Sequence, residues 1–444
     1  MEQKKVKGFG FRGWMLILYQ AIAYLTFQVF TQYPLNILAD LYGGAQKVSG
    51  IYSACAVAGI FVQIILAGLV SKMKKVKLFG SILGAVTLVL AFFVMTLPAG
   101  GAWDVMYAII NVVAVLYATF SLGILVGQWF PTRKGTVMGI ATLAFPIANG
   151  LLGPFASAVF AKGYPDPKGA FLPFFIVSIV GWIIGLIFIK DYPEECGAYR
   201  DNDKNLTPEI ANAIMAQDIE NKKTSVWTYL HTISCKEFWF GTICTAFLLT
   251  CSIGLMSQSN AIITAYEDEL QFIGGYTGVM AMIMIFGCIG SFVLGLIDTK
   301  FGTKKAMIIS SVLMIIVAIL GQIDSGVALL LAMIFVAMFM GASSNFGVSC
   351  AAQYWRREDF SRVFTLSSPI GSMISSASPV VIAALLFGPT GYKGHSGVFL
   401  LVGACGIVAL VVMLLFKPSH VKEMDDKFRA AAGKPLDDAL VGRK

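Results

Sequence analysis

The stretch GWMLILYQAIAYLTFQVFTQYPLNIL, residues 13–38, contains no charged side chain. As an α-helix it extends about 39 Å at 1.5 Å per residue, more than the roughly 30 Å hydrocarbon core of a bilayer. It is too long for the apolar region of a secretory leader, and no small-residue cleavage site follows. It therefore reads as a retained membrane span and not as a cleavable signal. Inside it, Gln20, Tyr24, Gln28 and Gln32 recur every fourth residue, which sets them along one side of a helix. Amides facing lipid are costly, so that side is expected to face the bundle interior or a water-filled path. Two uses stay open for the stripe: lining a pathway, or hydrogen-bonding neighbouring helices together.

The same pattern continues along the chain. Of 444 residues, 57% are hydrophobic and 13% charged, against about 25% charged in soluble proteins. Thirty-three Lys and Arg with 25 Asp and Glu cannot clothe soluble domains of this length, and 45 glycines suit helices packed in a membrane. Uninterrupted apolar runs fall near 13–38, 48–71, 78–98, 105–129, 135–160 and 170–189. After a polar stretch they resume near 237–265, 274–297, 306–323, 326–355, 360–387 and 396–416. Runs this long exclude a β-barrel, whose strands alternate over about ten residues. The fold expected is all-α and membrane-integral, with 12 transmembrane helices in two six-helix pseudo-repeats. The division expected is a first bundle over 1–190, a central loop over 191–235, a second bundle over 236–416 and a polar, mobile tail over 417–444. In the loop, Thr207-Pro208-Glu209 reads as a helix start. Ile210, Ala213 and Ile214 then share a face while Ile219 falls opposite, so the helix either lies on the membrane surface or is a solvated linker.

The net charge of +8 is a matter of topology, not of nucleic-acid binding. One side collects Lys4, Lys5, Lys7, Arg12, Lys72, Lys74, Lys75, Lys77, Arg133, Lys134, Lys300, Lys304, Lys305, Arg356, Arg357 and Arg362. The other has Lys47, Lys162, Lys168 and Lys393. That asymmetry predicts a multi-pass protein of the cell membrane with both termini and the central loop cytoplasmic. The halves also echo one another. Arg133 precedes Pro146 by 13 residues, Arg356 precedes Pro369 by 13, and the two pairs are 223 apart. A parallel repeat of six-helix halves is the arrangement of a transporter that rocks around a central site.

Residues 295–305, GLIDTKFGTKK, between spans 8 and 9 resemble the glycine-and-basic loop motif of the major facilitator superfamily, with Gly295, Lys300 and Gly302 in place. The usual Asp position holds Thr299, with Asp298 one residue early, and the first-half copy at 68–75 has lost the Asp. Basic residues of such a loop can bind helix C-termini and bias which face is open, or can simply set topology. A narrower similarity is to the oxalate/formate antiporter and monocarboxylate transporter group. It is carried by WFPTRKG at 129–135, YPEECG at 192–197 with Asp201-Asn202-Asp203, and KEFW at 236–239. That resemblance implies binding-site roles for Tyr24 and Tyr117. It also implies a difference, because oxalate-exchanging members hold the dianion with basic residues in spans 8 and 11. Here span 8 has no Lys or Arg, and span 11 reads TLSSPIGS over 365–372.

The predicted spans carry essentially no ionisable residue, so neither a buried proton relay nor a membrane-embedded enzyme is expected. No phosphate-binding G-x-x-x-x-G-K-[ST] run occurs, which argues against ATP-driven pumping. The eight cysteines show no C-x-x-C or Cys/His spacing, so no disulfide framework, metal site or cofactor is expected. What remains is uncharged polar chemistry. The candidate pathway residues are Gln20, Tyr24, Gln28, Tyr117, Gln258, Asn345, Ser368 and Ser372, and the candidate conformational residues are Arg133, Gly295, Lys300, Gly302 and Arg356. Gln258 and Asn260 either line an outer vestibule or cap a broken helix. Pro369 either frees a carbonyl for substrate or merely kinks span 11.

The function expected is secondary transport of a small organic anion, mono- or dicarboxylate-like, by alternating access, as an antiporter or facilitator. Export of amphipathic or drug-like compounds is the alternative, and a non-transporting nutrient sensor the more distant one. The partners expected are a small carboxylate substrate and membrane lipids, without nucleic acid, for a chain acting as a monomer.

Overall fold

The computed structural model describes residues 8–70, 75–130, 133–152, 154–155, 167–203, 206–223, 225–356, 359–388 and 391–434. Ten helices among them are long and apolar enough to cross a membrane, and a bent pair, Gly326–Ala342 with Asn345–Tyr354, makes an eleventh. Span 1 runs over Gly10–Asn36, span 2 over Ala45–Val70, span 3 over Val76–Thr96, span 4 over Gly101–Trp129 and span 6 over Pro167–Phe188. Span 7 is Lys236–Ser257, span 8 Gly275–Phe301, span 9 Thr303–Leu320, span 10 the bent pair and span 12 Ser396–Leu415. Span 11 is Phe360–Ser376 continued by Ser378–Leu386. The fifth expected span is present as Lys134–Ala141 and Ala144–Gly150, and residues 156–166 lie outside the described residues. A two-stranded hairpin, Phe387–Gly388 against Gly391–Tyr392, separates spans 11 and 12. Of the basic residues that set the expected topology, Lys4, Lys5, Lys7, Lys72, Lys74, Lys162 and Arg357 lie outside the described residues.

Two spans depart from α geometry where the sequence predicts functional residues. Span 1 takes a π turn over Gln28–Gln32, and span 4 does so over Leu116–Ser121. Such turns concentrate at functional sites because they re-aim the side chains that follow.

Glycines explain how closely these helices approach. A Cβ on Gly185 of span 6 would sit 2.4 Å from the Tyr19 ring, and one on Gly290 of span 8 would sit 2.2 Å from the Cα of Met338 on span 10. With lipid outside, the helices gain little from apolar burial against each other, so close backbone contact supplies the attraction. Span 8 also crosses to the first half, where a Cβ on Gly287 would meet Pro146 at 2.5 Å.

Residues 418–431 do not form the mobile tail expected, and residues 435–444 lie outside the described residues. Pro418–Ala431 is a helix whose Val421 and Asp425 are buried. The sequence shows a polar segment because only one narrow face is needed for docking, and that face carries a charge whose partner is remote. In the central loop, Pro208–Lys223 is helical, and the Thr207 hydroxyl accepts from the Ile210 N–H at 3.4 Å. Ala211 packs against the protein, while Ile210 and Ala213 are exposed.

Candidate functional site: a cavity between the two halves

Between spans 1, 2 and 4 on one side and spans 7, 10 and 11 on the other lies a cavity with ≈ 180 Å³ open to water centres. It extends from Met256 to Phe238, Trp355 and Phe364. The second group lies toward the end of the bundle that carries the chain termini. Phe27, Phe145, Met138 and Met340 supply apolar wall, and no Lys, Arg, His, Asp or Glu is among the described residues lining it.

Four of the candidate pathway residues line this cavity: Tyr24 and Gln28 from span 1, and Ser368 and Ser372 from span 11. Their hydroxyl and amide groups make no hydrogen bond to any described residue. Tyr24 packs its ring on Phe145 with centroids 4.9 Å apart. The stripe on span 1 does not stay on one side. Four residues of α-helix advance about 400°, so each step drifts about 40°, and the π turn adds to the drift. Gln20 consequently points toward span 4, its Nε2 donating to Ala118 O at 2.7 Å, while Gln32 stays on the cavity wall and donates to the hydroxyl of Tyr52, another lining residue, at 2.7 Å.

The other candidate pathway residues lie elsewhere. Tyr117 is buried in the first half beside Tyr19, with ring centroids 6.1 Å apart. Asn345 bridges the halves, Nδ2 donating to Thr142 Oγ1 at 3.1 Å, and its Oδ1 is buried without a partner. Gln258 sits at the end of the bundle opposite the termini, where Nε2 donates to Ser49 Oγ at 3.2 Å. It is part of a cross-half latch there. Asn36 Nδ2, at the end of span 1, donates to Met256 O at 2.9 Å and to Ser259 Oγ at 2.8 Å, and Asn36 Oδ1 accepts from Asn260 N–H at 3.1 Å. The latch works because span 7 breaks at Gln258, which frees backbone groups for a side chain from the other half.

Three contributors went unnoticed in the sequence. Gln63 of span 2 is 2% exposed, lines the cavity and has no hydrogen bond to a described residue. Asn111 of span 4 donates to Tyr107 O at 2.6 Å, and its Oδ1 is left unpartnered. Trp355, just past span 10, lines the cavity with its indole N–H buried and unpartnered. A Gln or Asn inside an apolar run is a visible signal. Trp355 gives none, since indole is as common in packing as in recognition.

The conformational candidates gather at the termini end. Arg356 Nε pairs with Asp425 Oδ2 of the tail helix at 2.7 Å, both side chains buried, and Trp227 Nε1 donates to Asp425 Oδ1 at 2.9 Å. Arg362 donates to Trp227 O at 3.0 Å, so the central loop is tied into the same knot. In the first half, Arg133 Nη1 donates to Gly8 O at 2.6 Å, its backbone N–H donates to Asp201 Oδ1 at 3.1 Å, and its guanidinium lies 4.2 Å from the Phe9 ring centroid. Gly302 takes φ +91° at the turn into span 9, a left-handed conformation that suits glycine. Gly295 faces open space and Lys300 is exposed. Lys304 of the same loop donates to Phe416 O at 2.6 Å, the carbonyl at the end of span 12.

Residues 238–443 match the family model described as Major Facilitator Superfamily. Two solved structures share the fold. The proton:xylose symporter XylE, bound to 6-bromo-6-deoxy-D-glucose, matches with a TM-score of 0.65 and 13% identity, over 91% of this chain and 95% of that one. The nucleoside transporter NupG matches with a TM-score of 0.59 and 13% identity, over 91% of this chain and 99% of that one. No curated protein matches the chain in sequence.

Proposed function

We propose that this chain is a secondary transporter of the major facilitator superfamily, not an enzyme, and that it carries a small organic anion bearing one carboxylate. The observation that carries the reading is the set of polar groups that line the cavity without a hydrogen bond to any described residue: Tyr24, Gln28, Gln63, Ser368, Ser372 and the Trp355 indole N–H, the last of them fully buried. The Trp355 N–H, buried without a described partner, costs about 1–3 kcal/mol if left unpaired, while the other groups face the open cavity, where water or a ligand can pair with them. Several such groups facing one space are accounted for by a ligand that pairs with them. Phenol, amide, hydroxyl and indole donors together favour an acceptor-rich ligand, and a carboxylate offers about four lone-pair sites. With no cation among the described residues of the wall, a single negative charge shared among neutral donors is acceptable where a dianion is not. The apolar wall then takes the rest of the molecule.

Transport follows by alternating access, as an antiporter or facilitator in the cell membrane, with both termini on the cytoplasmic face. In that orientation the Asn36 latch closes the outer end, and opening requires those cross-half bonds to break while contacts at the termini end form. Counterflow in proteoliposomes, with a panel of mono- and dicarboxylates and with or without a pH gradient, tests the substrate class. Accumulation of monocarboxylates and not of oxalate is the expected result. Accumulation of no carboxylate overturns it. The apolar wall also supports a second reading, export of amphipathic compounds, for which deletion should raise sensitivity to such compounds with no carboxylate counterflow.

A further inference from the structure

Outside the cavity, one cluster of side chains has chemistry that transport does not use. Cys235 caps the start of span 7, Glu237 lies in the first turn of that helix, and His420 comes from the tail helix. The His420 Nδ1 lies 2.5 Å from Glu237 Oε2, and the Cys235 Sγ lies 3.6 Å from the same oxygen. One ligand atom from each of the three residues lies within 4.8 Å of the others. Cys235 and Glu237 are fully buried, whereas the His420 side chain is 31% exposed. The second carboxylate oxygen, Glu237 Oε1, is buried without a hydrogen-bond partner.

We infer that Cys235, Glu237 and His420 form a binding site for a Zn²⁺-class divalent ion that pins the tail helix to the start of span 7. Tetrahedral Zn²⁺ takes sulfur at about 2.3 Å, nitrogen at about 2.0–2.1 Å and carboxylate oxygen at about 2.0–2.2 Å. Those lengths separate S from O by about 3.5 Å and N from O by about 3.4 Å. The sulfur–oxygen spacing already fits. The nitrogen–oxygen spacing must widen by less than about 1 Å, which rotation of the partly exposed His420 ring supplies.

The charges also fit. Thiolate, carboxylate and neutral imidazole carry two negative charges, which a dication cancels, leaving no net charge in a buried place. Burial pushes the free Cys235 thiol up to about 11, so ion binding must displace that proton to solvent, past the exposed edge of His420. A thiolate–imidazole–carboxylate set selects Zn²⁺ or Co²⁺ over Mg²⁺ or Ca²⁺. The fourth position is left for water. Sequence spacing hides the set, because Glu237 and His420 are 183 residues apart.

Co²⁺ titration of the full-length protein in detergent tests this, read by thiolate-to-cobalt charge-transfer absorption. One Co²⁺ per chain is expected in the wild type, the band should vanish in Cys235→Ser, and affinity should fall at least tenfold in His420→Ala. Zn²⁺ alone should raise Tm in the wild type and not in either variant. His420→Gln, at the partly exposed position, keeps the test available if Cys235→Ser does not fold. No charge-transfer band at stoichiometric Co²⁺, or the same band in Cys235→Ser, overturns the assignment.

Discussion

Replacing Asn36 by Ala should shift the protein away from the state closed at the end opposite the termini. Three hydrogen bonds disappear with the side chain: those to Met256 O at 2.9 Å and Ser259 Oγ at 2.8 Å, and the one accepted from Asn260 N–H at 3.1 Å. All three cross between the halves, so they exist in the closed arrangement and are exchanged for water when that end opens. Each is worth about 0.5–1.5 kcal/mol net. Their joint loss therefore moves the equilibrium by roughly 1.5–4.5 kcal/mol. At about 1.4 kcal/mol per tenfold, the open-to-closed ratio rises on the order of ten- to a thousandfold. Spin labels at the exposed positions Gln46 and Phe272, one in each half, report the separation at that end. The expected outcome is a longer-distance population that grows from minor in the labelled parent to dominant in Asn36→Ala. Ser259→Ala, which removes one of the three bonds, should lie between. If the distance distribution is the same with and without Asn36, the latch reasoning is wrong.

Four further outcomes follow from the same geometry. Gln28→Ala and Gln63→Ala should each weaken transport, raising KM about 10- to 150-fold for loss of a hydrogen bond to a charged ligand. Tm should be unchanged, because neither amide bonds a described residue; unaltered transport kinetics would remove both from the site. Arg356→Met strands Asp425 as a buried charge and should cost about 3–5 kcal/mol, seen as a lower Tm in detergent. The paired Arg356→Met/Asp425→Leu change should recover most of that loss, and failure to recover would argue that the ion pair is not the stabilising element. Gly290→Val forces a side chain into the backbone of span 10 and should cost about 1–3 kcal/mol or more, with reduced expression. Gly295→Ala, in open space, should leave expression and Tm as they are.

The spans were legible because crossing a bilayer is a demand on local composition. Twenty or so apolar residues satisfy it wherever they occur, and each predicted run with described residues has its helix within a few residues. The tail helix was not legible. Its docking face is carried by Val421 and Asp425, and a single acid in a polar segment reads as solvated until Arg356 is seen beside it. The span 1 stripe was partly legible. The helical period places Tyr24, Gln28 and Gln32 on the cavity wall, but the slow drift of a four-residue repeat turns Gln20 away to Ala118, and the Gln32 amide is engaged by Tyr52.

By itself, the sequence determined that this is a multi-span helical membrane protein and that charge is scarce inside its spans. Both are properties of individual residues summed over a window, and they need no partner. The tertiary structure decided which polar groups are spent on each other and which are left facing a shared space. The Gln20 amide N–H is taken by Ala118 O and Asn36 by Met256 and Ser259, while Tyr24, Gln28 and Gln63 face the cavity without a hydrogen bond to a described residue. A hydrogen bond is a property of two groups within about 3 Å and in line. Whether two residues 98 or 220 positions apart meet that condition depends on how the helices cross, not on the composition of either one.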